Sequence, residues 1–477
     1  MTPGAASGNT RYDLIVIGGG PAGEKAAVAA AFFGRRVALV EASADGPGGA
    51  SVHTGTLPSK TLRESALYLA GFRHRELYES VQDHFPDHTK SASNLTRRLA
   101  TVRRLQANQV LSNLNRHGVD LVRGRGSFVD AHTIRADDRL LTADFVLIAT
   151  GSTPRRPTGF DFRDPEVFDS DTVLALDRVP ESLAVIGGGV VGSEYACVFA
   201  TLGTSITVID AAPRLLGFLD EEISDALMGA MRRQGIVLKL NDEVTSLQRR
   251  GTNLVMTLRS GASEVVDRVL VSAGRTGRID GLNLDAIGVE RDERGLVRVD
   301  PDYRTTCPNV FAAGDVIGRP ALASASIEQG RLAVGAMFGL TFPRRDWSTL
   351  PVGIYTIPEA CACGPTEADL IKRGVPYVVG HTFIRHNARG QIIGDTDGFV
   401  KLIFHRDTRR LLATHLICER ATELIHIGQA VMRFGGGIDY FLETVMTYPS
   451  LAEAFKMAAY DALSELSRGK DRPPPLE

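Results

Sequence analysis

Short apolar, β-branched runs along this chain open repeatedly into glycine clusters and then into alanine-rich stretches of helical spacing. The first run, residues 12–17, leads into Gly18-Gly19-Gly20-Pro21-Ala22-Gly23. A helix is predicted up to Phe33, followed by Gly34, a strand over 37–40, and Glu41 at its end. This is a β-α-β pattern with G-x-G-x-x-G at its first turn. Gly18 permits the turn, Gly20 lets a phosphate approach the backbone, and Gly23 lets helix and strand pack closely. The helix start then faces a pyrophosphate, and Glu41 can accept hydrogen bonds from ribose hydroxyls.

The unit returns. Residues 182–186 lead into Gly187-Gly188-Gly189-Val190-Val191-Gly192, a predicted helix runs to Gly203, and a strand over 205–209 ends at Asp210. Gly18 and Gly187, Gly23 and Gly192, Gly34 and Gly203, and Glu41 and Asp210 are each 169 residues apart. A lone G-x-G-x-x-G is weak evidence. Two copies in register, each ending in a carboxylate, predict two dinucleotide sites, with Gly187, Gly189, Gly192 and Asp210 in the second. The bland alternative is two doubly wound domains without ligands.

Residues 146–148 read as a buried strand ending in Ala149-Thr150-Gly151, and 310–312 as another running into Ala313-Gly314-Asp315. A small β-rich stretch follows the second unit. From about Trp347 the pattern changes to strand-like runs over 398–404 and 411–417 and a helix over 421–434. The fold class predicted is α/β, with two Rossmann-like domains and an α+β C-terminal domain. The polar loop over 78–93 carries His84 and His88, read as solvated rather than metal-binding, and no metal site is expected. Residues 1–10 and 467–477 read as flexible tails.

Length and charge narrow the class. The 477 residues are long enough for about three domains. Lys plus Arg total 54 against 56 Asp plus Glu, a net charge of −2, which argues against nucleic acid as a partner. No apolar run reaches the roughly 18 residues of a membrane span, and the N-terminus lacks the order of a signal peptide. Five dispersed cysteines exclude a disulfide-stapled scaffold, so the expected location is the cytoplasm.

The first unit, the Ala149-Thr150-Gly151 end and the segment 306–315 together resemble the FAD-binding domain of the pyridine nucleotide–disulfide oxidoreductases, over about residues 12–466. The resemblance implies that the first unit holds FAD and the second NAD or NADP. It divides the chain into an FAD-binding domain in two parts (11–155 and 281–346), an NAD(P)-binding domain (156–280) and an interface domain (347–466). It implies FAD contacts at Gly49, Ser51, Thr56, Gly126, Thr150 and Gly151, with Asp315 on the ribityl chain. The helix starting near Ala323 would aim its N–H groups at the flavin pyrimidine edge. Gly274 and Arg214 would join the nicotinamide nucleotide. Lys60 matches the family lysine beside flavin N5, and Glu194 its ion-pair partner. A homodimer is implied, in which Tyr448 and Glu453 cross to the partner's flavin.

Two departures redirect the chemistry. The family's redox cysteines are replaced by Ser51 and Thr56 in the run GGASVHTGTLPSK over 48–60, and a hydroxyl cannot form a disulfide. Tyr448 stands where the family has a general-base histidine, and a phenol holds its proton too tightly to replace imidazole near neutral pH. Without a disulfide, electrons that reach the flavin must leave from it, and a second nicotinamide is the simplest exit. Local runs, among them 54–63, 353–359 and 423–430, resemble the soluble flavin-dependent pyridine nucleotide transhydrogenases. Asp210 favours NAD(H) over NADP(H), and Ala212 stands where related NADP-binding enzymes carry Arg, leaving Arg214 the nearby cation. Three readings stay open: a ping-pong transhydrogenase, an NADH-dependent diaphorase or oxidase acting on quinone or oxygen, and a non-catalytic flavoprotein sensor.

Overall fold

The computed structural model describes residues 10–71, 92–343, 346–395 and 397–468. The predicted loop over 78–93 and the two tails lie outside the described residues, except where their ends run into strand or helix.

The first unit runs β1 (Thr10–Ile17), α1 (Pro21–Phe32) and β2 (Val37–Glu41). Helix α1 ends one residue before the predicted Phe33, because Phe33 has left helical geometry and Gly34 takes φ +75°. Then come α2 (Gly49–His53), α3 (Thr56–Ala70), α4 (Ala92–Arg116), β3 (Asp120–Arg123), β4 (Gly126–Asp130), β5 (Thr133–Ala136) and β6 (Arg139–Ile148). The sheet order is β3-β2-β1-β6-β5-β4, parallel from β3 to β6 and antiparallel beyond. β6 extends well upstream of the predicted 146–148 because residues 139–142 pair with β5. Leu14, Ile15, Val16, Ala38 and Leu39 are fully buried, as strands covered on both faces require.

The chain crosses over through β7 (Ser152–Pro154) into β8 (Val167–Asp169), β9 (Ser182–Ile186), α5 (Val190–Thr201), β10 (Ser205–Asp210), α6 (Glu221–Arg233) and β11 (Val237–Leu240). The antiparallel trio β12 (Val244–Arg250), β13 (Asn253–Leu258) and β14 (Ser263–Val266) follows, then β15 (Arg268–Val271) and β16 (Arg275–Gly277). The second sheet, β11-β10-β9-β15-β8, is all parallel. β16 pairs with β7, so the outgoing and returning crossings form one ribbon.

The chain then returns to the first sheet: β17 (Val310–Ala312) pairs with β6, and α7 (Ala323–Phe338) packs beside α1. A C-terminal layer closes the chain with β18 (Val352–Ile354), β19 (Glu359–Cys363), α8 (Glu367–Arg373), β20 (Tyr377–Phe383), α9 (Ala388–Ile393), β21 (Phe399–His405), β22 (Leu411–Cys418), α10 (Ala421–Arg433), α11 (Ile438–Glu443) and α12 (Glu453–Arg468). Its antiparallel order is β18-β19-β22-β21-β20. One core joins all three regions: Leu62 and Ala66 of α3, Tyr195 and Phe199 of α5, and Ile354 and Ala360 of the C-terminal sheet. Large apolar side chains buried in this way contribute about 1.5–3 kcal/mol each, and this packing brings α3, α5 and the segment after β18 to one point. Among the described residues no helix is long and apolar enough to cross a membrane.

Candidate functional site

The two glycine turns repeat each other atom by atom. Gly18 and Gly187 take φ +103° and +98°, values that favour glycine. Their N–H groups donate to Val40 O and Ile209 O at the same distance, 2.8 Å. A Cβ on Gly23 would lie 1.8 Å from Gly18 O, and one on Gly192 would lie 1.9 Å from Gly187 O. Both helix starts, at Gly20 and Gly189, lack a side-chain cap. Their first N–H groups therefore remain for an anionic ligand.

Each strand-end carboxylate spans its turn in the same way. Glu41 accepts from Gly19 N (2.8 Å) and Ser43 N (2.7 Å). Asp210 accepts from Gly188 N (2.5 Å) and Ala212 N (2.7 Å). These bonds aim the carboxylates and leave lone pairs to accept from a ligand. Around the first turn, Gly49 (φ +57°) brings its backbone so close that a Cβ there would meet Gly20 Cα at 2.8 Å. His53, buried in α2, has Nε2 3.2 Å from both Gly46 O and Pro47 O and fixes that covering loop. The sequence reading missed His53.

Where α3 meets α5 lies an ion pair. Lys60 Nζ is 2.9 and 2.7 Å from the two oxygens of Glu194, which is nearly buried. Tyr355, also missed from sequence, completes the arrangement: its backbone N–H donates to Glu194 Oε1 at 2.9 Å, and its ring lies 4.8 Å from Lys60 Nζ. The ammonium is thus held from two sides by α5 and the segment after β18. Ser51 sits in α2 and Thr56 begins α3 at an exposed position.

A second chain of contacts runs through the crossing ribbon. Ser152 Oγ donates to Asp315 Oδ2 at 2.7 Å and accepts from Arg275 Nε at 2.8 Å, while Arg275 Nη1 is 3.0 Å from Asp171. Thr150 Oγ1 donates to Arg278 O at 2.6 Å. Gly151 and Gly274 take φ +70° and +95° with open space beside them. A Cβ on Gly126 would press on Ile17 at 2.9 Å. Ala323 opens α7, whose N-terminus has no side-chain cap.

Other candidate residues stand apart from this centre. No hydrogen bond or ion pair within one chain joins Tyr448 or Glu453 to Lys60 or Glu194. Tyr448 is 71% exposed, beside the exposed Val445, and Glu453 begins α12. Arg214 is engaged elsewhere: it pairs with Glu221 at 2.5 Å and Asp225 at 3.5 Å. All five cysteines are buried and unpaired. Burial pushes the Cys197 and Cys363 thiols up to about 12 and raises Cys361 and Cys418 as well, so these four remain thiols near neutral pH.

Comparison with known proteins agrees with this geometry. Residues 12–330 match the family described as pyridine nucleotide-disulphide oxidoreductase, and 350–459 match its dimerisation domain. A protein named soluble pyridine nucleotide transhydrogenase from Mycobacterium bovis is 42% identical over 465 residues, spanning 95% of this chain and 98% of its own. One of the same name from Marinomonas is 40% identical over 467 residues, spanning 95% and 99%. The solved HOCl-induced flavoprotein disulfide reductase RclA from Escherichia coli superposes with a TM-score of 0.85 at 27% identity, covering 94% of this chain and 99% of its own. With both family models and whole-length relatives in agreement, this chain belongs to the pyridine nucleotide-disulphide oxidoreductase family.

Proposed function

We propose that this flavin-dependent oxidoreductase transfers hydride between nicotinamide nucleotides in two successive half-reactions, without a disulfide step. The observation that carries the reading is the Lys60–Glu194 pair, held at 2.7 Å, near a segment with Ser51 and Thr56 in place of a dithiol. Relatives named soluble pyridine nucleotide transhydrogenase support the substrate class.

The first turn fits the FAD implied by the family. The uncapped α1 N-terminus, the side-chain-free approach of Gly49 to Gly20, and the carboxylates of Glu41 and Asp315 supply the donors, space and acceptors that a dinucleotide needs. When bound, FAD supplies a two-electron acceptor and donor of hydride. Lys60, fixed by Glu194 and Tyr355, would place a positive charge beside the group that takes up the electrons. The α7 N-terminus adds the positive end of a helix dipole. Asp210 receives the ribose hydroxyls of the nicotinamide nucleotide, Gly189 lets the backbone approach its pyrophosphate, and Gly192 lets α5 pack closely on the turn. One nicotinamide pocket cannot hold donor and acceptor together, so the donor leaves before the acceptor enters, giving parallel double-reciprocal lines.

A second copy of the chain completes the site. The family match of 350–459 to a dimerisation domain supports this, as do exposed Phe434, Val445 and Tyr448 in that region. In the dimer Tyr448 and Glu453 cover the partner's flavin. Sedimentation should show a FAD-loaded dimer; an active monomer contradicts it.

The test of the central reading is anaerobic titration with dithionite. Two electrons per FAD are expected, with no long-wavelength thiolate band; uptake of four would show a second redox centre and overturn the proposal. A second reading, an NADH-dependent diaphorase or oxidase, is favoured by Asp210 and by the commitment of Arg214 to Glu221, which together disfavour a 2′-phosphate. Fast oxygen or quinone reduction by NADH, with negligible transfer from NADPH to thio-NAD, would select it.

A further inference from the structure

One fully buried lysine lies outside the chemistry described above. Lys401, on β21, is 0% exposed. Its Nζ donates to Asp220 Oδ1 at 2.8 Å, to Glu222 Oε2 at 2.7 Å and to Glu367 Oε1. An ammonium has three N–H donors, and each finds its own carboxylate. Asp220 and Glu222 belong to the start of α6 in the second unit, whereas Lys401 and Glu367 belong to the C-terminal layer. The cluster therefore ties the two together.

The surrounding groups balance this charge. Asp220 caps α6 through Glu222 N at 3.3 Å and also accepts from Glu367 N, the first turn of α8, at 3.1 Å. Two helix N-termini thus face the acids, where a negative charge is stabilised. His381 on β20 places Nε2 2.8 Å from Glu222. The His381 and Lys401 hydrogen bonds pull Glu222 down to about 2. Burial alone would lower Lys401, but the three carboxylates raise it above its ordinary value. Such a cluster is a poor source of net stability, because desolvation offsets the attraction. It does fix one geometry.

That geometry leads to the nucleotide turn. Directly beyond Asp220, Glu221 holds Arg214 at 2.5 Å, and Ser224 Oγ donates to Leu215 O. Leu215 in turn closes on Gly188, where a Cβ would meet its Cδ2 at 2.1 Å. Gly188 N is the donor that aims Asp210. We propose that Lys401 is a positioning residue for the second dinucleotide site: from the C-terminal sheet it sets the start of α6, and through residues 214–215 the loop that holds Gly188 and Asp210. This rests on the reading of Asp210 as the ribose acceptor.

The test compares FAD-loaded wild type with Lys401→Met, Glu367→Gln and Asp210→Ala. NAD+ binding to the oxidised protein is measured by calorimetry, and flavin reduction by NADH in anaerobic stopped flow. Glu367→Gln, a milder change, decides the question if Lys401→Met does not fold. The proposal expects NAD+ affinity to fall about fivefold or more in Glu367→Gln and further in Lys401→Met. The half-saturating NADH concentration should rise in parallel, with FAD content and the saturating reduction rate within about twofold of wild type. A purely structural tie would lower the melting temperature and leave NAD+ affinity within about twofold; that result overturns the proposal. If Asp210→Ala alone weakens NAD+, the site reading stands and the coupling falls. If Asp210→Ala changes nothing, the site reading itself fails.

Discussion

At Gly20 the side facing outward is met by the backbone of Gly49, whereas at Gly189, its counterpart 169 residues on, a Cβ would meet nothing within 4 Å. The backbone hydrogen bonds of the two turns match, but the loops after the second strands do not. After β2 the chain folds back: Gly48 N–H donates to Gly19 O at 2.7 Å and Pro47 packs on Gly19. After β10 Leu215 covers Gly188 as Pro47 covers Gly19, but the loop then leans toward α6, with Arg214 bound to Glu221, and leaves Gly189 open. Glu41 is consequently buried and Asp210 only half-buried. On the proposed function, the comparison teaches how one backbone design would serve two residence times. A covered turn suits a nucleotide that stays, and an open one suits a nucleotide that exchanges at every half-reaction.

The largest effects come from filling the turns. A Cβ at Gly23 or Gly192 would collide with a backbone carbonyl, which costs about 3 kcal/mol or more. Gly192→Ala should leave FAD bound and lower kcat/KM for NADH by about 100-fold or more, whereas Gly23→Ala should give protein lacking FAD. Equal loss of FAD in both variants would break the comparison. Next, Lys60→Ala, at the junction of the two units, should slow flavin reduction by about 100-fold with little change in NADH affinity. A change confined to affinity would contradict its assigned role.

A smaller effect concerns the C-terminal layer that supports the second unit. Asp395 lies beside the Asp397–Arg233 pair to α6, which spans 2.9 Å. Burial, with Glu419 and Asp397 nearby, raises its carboxyl to about 6. The raised value means that its contribution to stability is present below about pH 4 and is lost as pH rises through about 6. Asp395→Asn should therefore stabilise the fold by about 2 kcal/mol at pH 8 and by almost nothing at pH 4. Urea melts at the two pH values check this; equal stabilisation at both refutes it. Smallest is Asp210→Ala, which removes the carboxylate proposed to repel a 2′-phosphate. It should shift the NADPH/NADH ratio of kcat/KM by about tenfold toward NADPH, and an unchanged ratio would show that the second turn does not select through Asp210.

Sequence revealed what is periodic or local. The two turns, the strands over 182–186 and 310–312, and the carboxylates 169 residues apart were legible because glycine spacing and apolar runs follow directly from backbone geometry. Helix ends were legible to within two residues: α5 stops at Thr201 rather than Gly203, which takes φ +90°, and α10 at Arg433 rather than Phe434, since Gly435 takes φ +68°. The Lys60–Glu194 pair is legible only through the family resemblance, as nothing local links residues 134 apart. Tyr355, the Ser152–Asp315 bond and the Lys401 cluster were missed for that reason. Each depends on segments 161 to 181 residues apart, and the side chains involved are ordinary in their local sequence. The turn that Gly49 covers was legible as a motif, but not the role of His53 in fixing it.

The most direct test of the account is a two-step anaerobic experiment. FAD-loaded protein is reduced with one equivalent of NADH, freed of nucleotide, and mixed with thio-NAD+ or NADP+ in stopped flow. The account predicts that flavin colour returns in a single phase as the acceptor is reduced one for one, at a rate no slower than turnover. If flavin reoxidation by thio-NAD+ is far slower than turnover with that acceptor, or if reduced protein carries more than one hydride equivalent per FAD, then the flavin is not the relay between two nicotinamides, and the account is wrong.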